Sequence, residues 1–161
     1  MSKRIIRSTV ALALMTFVAG TAGAQATQTV TFAVNAVNQI AVTGSPSLTI
    51  TTAVAGSAPT SVTDATAKWA VTTNQTAAKV TASIDLDMPT GLTLSATLVA
   101  PSVGTSAGIK ALSSTAVDVV SGMTKVAGSN LGITYTLDAT TAAGVVGTST
   151  RTVTYTVTGG T

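Results

Sequence analysis

The sequence predicts an all-β sandwich, and three observations carry the prediction. Apolar and polar residues alternate in run after run of the chain. The runs are filled by Val, Thr, Ile and Leu, which suit a pleated, half-buried surface. Turn residues recur about every ten positions, the spacing of short strands packed in two layers. Beyond the N-terminal leader no stretch keeps a helical period for three turns, and the alternation argues against low-complexity disorder.

The strands follow in order. Val30, Phe32, Val34 and Ala36 occupy even positions, and Ile40 and Val42 continue that parity, giving an unusually long first strand over Val30–Val42. Leu48 and Ile50 suggest a short second strand. Ala67, Trp69 and Val71 take odd positions up to a hairpin turn at Asn74-Gln75-Thr76, and Val80, Ala82, Ile84 and Leu86 return on the even face. Met88-Pro89-Thr90-Gly91 has Pro second and Gly fourth, as a type I turn prefers. Leu92, Leu94, Ala96 and Leu98 follow, then a Gly/Ser loop over 102–108. Short strands are expected at Ile109–Leu112 and around Val117, Val119 and Val120. Leu131, Ile133, Tyr135 and Leu137 make another, and Val153, Tyr155 and Val157 close the chain.

Length and charge bound the rest. With 161 residues there is room for one domain over 27–161 and no second one. Residues 1–26 read as a secretory signal peptide. Lys3, Arg4 and Arg7 form its basic start, Val10 to Ala19 its apolar core, and Ala22-Gly23-Ala24 or Ala24-Gln25-Ala26 its cleavage site. That apolar run is too short to span a bilayer, and neither a lipid-bearing Cys nor an apolar C-terminal tail is present. The mature chain is therefore expected to be secreted, with no membrane span. Lys and Arg number eight against five acids, all Asp, and the three leader cations account for the excess. A neutral mature chain with 3% aromatic residues lacks the footprint of a nucleic-acid binder.

Chemistry is sparse. Without His, Cys or Glu, most acid–base groups and transition-metal ligands are missing, so neither an enzyme nor a cofactor or metal protein is expected. Asp85 and Asp87 share one face of a strand, but a calcium site needs six or more oxygens and no Asp/Asn-rich loop follows. A solvated face beside a turn accounts for them. Gly104 to Lys110 lacks the Gly-Lys-Ser/Thr order of a phosphate loop, and no Ser-x-x-Lys occurs. Asn74-Gln75-Thr76 fits a glycosylation sequon, yet its place between two alternating runs favours a hairpin. Trp69 lies on the apolar face of its strand and reads as a core anchor.

The first strand carries the functional expectation. A long alternating strand at the free end of the mature chain can complete its own sandwich or a neighbour's. In the second case main-chain hydrogen bonds give affinity and alternate side chains fill pockets. Burying Val30, Phe32, Val34, Ile40 and Val42 would contribute on the order of 7–15 kcal/mol as an upper bound. Because each copy would donate and accept, the contact is head-to-tail and builds a filament. The open edge is expected beside the last strand, with Val153, Tyr155 and Val157 facing the core.

The layout resembles the Cys-free major pilins of colonisation-factor fimbriae, assembled by the alternate chaperone–usher route. The parallels are Thr29-Val30-Thr31-Phe32-Ala33-Val34 at the mature start and the Trp69-to-Leu86 hairpin with its Asn74 turn. Leu112-Ser113-Ser114-Thr115-Ala116 in mid-chain also matches, as does Ala143-Gly144 before Thr152-Val153-Thr154-Tyr155-Thr156-Val157. The resemblance implies an incomplete immunoglobulin-like sandwich whose N-terminal strand, within 29–42, is donated to the next subunit. It further implies a homopolymer on a bacterial surface, with a periplasmic chaperone and an outer-membrane usher as assembly partners. The alternative is a secreted β-sandwich adhesion or ligand-binding module that works as a monomer.

Overall fold

The computed structural model describes residues 23–160; most of the expected leader, 1–26, lies outside the described residues. The chain divides into a segment ending at Ala33 and a body from Val34 onward. Residues 23–33 hold no regular element and are exposed.

The body is all-β, with ten strands: β1 (Asn38–Thr43), β2 (Val62–Asp64), β3 (Lys68–Thr73), β4 (Ala78–Ile84), β5 (Leu92–Leu98), β6 (Thr105–Ser106), β7 (Lys110–Ala111), β8 (Val117–Met123), β9 (Val126–Ala139) and β10 (Val153–Thr158). They form two antiparallel sheets. One has the order β1-β3-β9-β5-β7, with β2 also on β9; the other runs β10-β4-β8-β6. The only helical element among the described residues is a 3-10 turn at Thr141–Ala143.

Alternation explains the core. Trp69 and Val71 from β3 are buried with Val80, Ala82 and Ile84 from β4. Leu94, Ala96 and Leu98 of β5 and Ile133 and Tyr135 of β9 join them, all at the parity read from the sequence. β8 buries two consecutive residues, Val119 and Val120. The register explains this: Thr81 faces Asp118 and Val80 faces Val120, so Val119 is the extra residue of a bulge. Trp69 is 2% exposed and its indole Nε1 donates to the Val99 carbonyl at 3.1 Å, which makes it the core anchor expected.

Several expectations need correction. The run Val30–Val42 is not one strand, because regular pairing begins only at Asn38. Leu48–Ile50 forms no strand. Asp64 instead ties that segment down by accepting from the Ser47 amide at 2.9 Å, and only a single bridge, Ala53 to Pro59, follows. The Thr66 hydroxyl and the Thr66 and Ser47 amides also hold the Asp64 carboxyl below its ordinary range. The turn before β5 sits one residue later than expected. The Leu92 amide donates to the Pro89 carbonyl, which puts Gly91 third. Gly91 has φ +84°, the conformation a type II turn demands there and only glycine adopts freely. β4 stops at Ile84, so Leu86 is exposed rather than inward, and Asp85 and Asp87 lie in the bend beyond the strand.

Candidate functional site

The sheet order decides where the body can accept another strand. β10 pairs with β4 alone, from Val153 opposite Ile84 to Thr158 opposite Lys79. Its other edge has no partner strand among the described residues. β1 is likewise the outermost strand of its sheet, pairing with β3 from Asn38 opposite Thr73 to Thr43 opposite Lys68. The two edge strands lie beside each other, so both sheets end on the same flank.

The side chains along this flank are incompletely covered. Val153, Tyr155 and Val157 alternate with exposed Thr residues; they pack on the core yet are only half-buried, and so is Ile40 of β1. The expected edge residues Val153, Tyr155 and Val157 thus share one row, whereas Ile40, expected in the donor, sits in β1 of the same body beside β10. Val42, which shares the parity of Ile40 on β1, is 43% exposed. The Tyr155 hydroxyl meets the Tyr135 hydroxyl of β9 at 2.8 Å, a bond between the two sheets at the middle of the edge strand. Burial raises both phenols above their ordinary ionisation range, Tyr155 the more strongly.

The remaining expected residues behave differently. Val30 is 72% exposed, Phe32 88% and Val34 83%, and Ala36 is exposed too. Single bare side chains such as Val54, Leu86, Ile109 and Val145 occur elsewhere in the chain, so what distinguishes this segment is three large apolar side chains bare in strict alternation. Where residues 34–37 join β1, they are fastened by Asn74. Its Oδ1 accepts from the Val37 amide at 2.8 Å and its Nδ2 donates to the Asn35 carbonyl at 2.8 Å. The Asn74 amide also donates to the Val37 carbonyl at 3.2 Å. Sequence reading recognised Asn74 as a turn residue but missed this role, since its partners lie some 37 positions away.

The carboxylates serve the backbone. Asp85 Oδ1 accepts from the amides of Leu86 and Thr152, extending the β4–β10 pairing by one step. Asp87 accepts from the Ser114 amide at 2.6 Å, and that bond lowers its pKa. Among the described residues no three His, Cys, Asp or Glu side chains come together as metal ligands. No helix among them is long and apolar enough to cross a membrane.

Comparison with protein-family models, curated proteins and solved structures found no match.

Proposed function

We propose that the chain is a structural subunit of an extracellular bacterial filament, exported through its leader and polymerised by strand donation. The segment Val30–Ala36 of one copy fills the open edge along β10 of the next. One observation carries the reading: a bare, alternating apolar segment and a bare, half-buried sheet edge occur in the same chain. Their lengths agree, since six residues of β10 and seven of the donor each span about 20 Å. Val30, Phe32 and Val34 would contribute about 5–9 kcal/mol as an upper bound. That is less than the sequence alone suggested, because Ile40 and Val42 lie in β1 of their own body.

The topology also sets a polarity. β1 begins, and β10 ends, at the pole that carries the turn between β3 and β4. A donor leaving that pole enters the next body at the Val153 end and runs antiparallel to its β10. On this reading the receiving body is an incomplete immunoglobulin-like sandwich, and the donor supplies its last strand. The resemblance adds a periplasmic chaperone and an outer-membrane usher as assembly partners.

A synthetic peptide of residues 27–37 tests the proposal. It should cap the open edge and shorten the polymer, whereas a peptide with residues 30–36 shifted by one position should not. Polymer length indifferent to both peptides would count against the reading.

A further inference from the structure

The geometry points to Asn74 as the positioning residue that decides whether the donor segment fills a neighbour's open edge or its own; this rests on the reading just proposed. Both edges are chemically identical, so something must bias the choice. The root of the segment lies at the pole where β10 ends. Folding back from there, the segment would lie parallel to its own β10. Passing onward, it would lie antiparallel to the β10 of a neighbour.

Asn74 acts at this branch point. The β1–β3 ladder pairs Asn38 with Thr73, and the bond from the Asn74 amide to the Val37 carbonyl carries it one pair further. The side chain then grips Asn35 and Val37 from both its amide atoms. The Thr73 hydroxyl donates to Asn38 Oδ1 at 2.8 Å beneath it. Residues 35–37 are thereby kept in line with β1, past the end of β3, and a fold-back would have to break the grip. The C-terminal residues narrow the corner further, since a Cβ on Gly159 would fall on the Gln75 side chain and one on Gly160 on the Thr76 carbonyl. Asn74 thus favours exchange between copies over self-closure, and the parallel pairing of a self-closed chain is the weaker ladder as well.

Cysteine pairs read the two topologies separately, because the chain has no Cys of its own. Thr31→Cys with Thr158→Cys reports antiparallel exchange as a link between chains. Thr31→Cys with Thr154→Cys reports self-closure as a link within one chain. Positions 154 and 158 are about 13 Å apart along the strand, beyond what one disulfide can bridge. With Asn74 present, the link between chains should dominate. In the Asn74→Ala background the ratio of self-closed to exchanged product should rise about tenfold. Asn74→Asp, which keeps the acceptor for Val37 and loses the donor to Asn35, should fall between. An unchanged ratio in both backgrounds, with links still forming, overturns the role of Asn74 and leaves strand exchange standing. If Thr31→Cys links to neither position in any background, both readings fall. Circular dichroism of each variant checks that the body is folded.

Discussion

Replacing Phe32 by Asp separates the fate of the donor segment from the stability of the body. In the free chain Phe32 precedes the body and is 88% exposed, so the substitution should change the body's stability by no more than about 0.5 kcal/mol. In a neighbour's open edge the same side chain is buried. There the variant loses about 1.5–3 kcal/mol of apolar transfer. It also places a carboxylate against a core where an unpaired ion costs several kcal/mol. Together these come to at least about 4 kcal/mol per contact, or about a thousandfold in association. Size-exclusion chromatography should show the Phe32→Asp protein as a monomer with wild-type melting temperature and β-rich circular dichroism. Thr31→Asp, on the opposite face of the segment, should polymerise nearly as well as wild type. Normal polymerisation of Phe32→Asp would refute the donor assignment. A large fall in its melting temperature would refute the premise that Phe32 has no place in its own body.

Other consequences concern the body itself. Tyr155→Phe removes the bond between the sheets and should cost about 1 kcal/mol, seen as a melting temperature lower by about 3–5 °C. Both phenols are raised in the folded state, so their contribution is intact below the ordinary value of 10.0 and is lost as pH climbs above it. The urea midpoint should therefore fall above about pH 10, and the Tyr135→Phe/Tyr155→Phe double variant should lose much of that slope. Gly91→Ala forces a side chain into φ +84° and sets a Cβ 2.5 Å from the Ala143 amide nitrogen. Strain of about 1–3 kcal/mol from the backbone alone should lower the urea midpoint without changing its slope.

The fold was legible wherever alternation met a paired strand. Trp69, Val71, Val80, Ala82, Ile84, Leu94, Leu98 and Ile133 all face inward at the parity their spacing demands. Parity alone does not say where pairing starts, and the first run shows it. Val30 to Val42 keeps one period throughout, but only Asn38–Thr43 has a partner strand in the same body. β2 escaped notice because Val62-Thr63-Asp64 is too short to show a period. β9 proved longer than expected: its first half, over Gly128, Asn130 and Gly132, looks like a turn, yet it pairs with β3 through a register shift between Trp69 and Val71. Asn130 takes φ +56° within this strand. At the candidate site, the half-buried row of Val153, Tyr155 and Val157 was readable from alternation. The grip of Asn74 on Asn35 and Val37 was not, since no local pattern announces a long-range polar contact.

The most direct test of strand donation is a denaturing gel of protein recovered from the cell surface, loaded with and without boiling. Copies interlocked by a donated strand should run as a ladder of multiples that collapses to one band on boiling. Because the chain has no Cys, a reducing agent should leave that ladder unchanged. A single monomer band in both lanes would contradict the account and favour a sandwich that works alone.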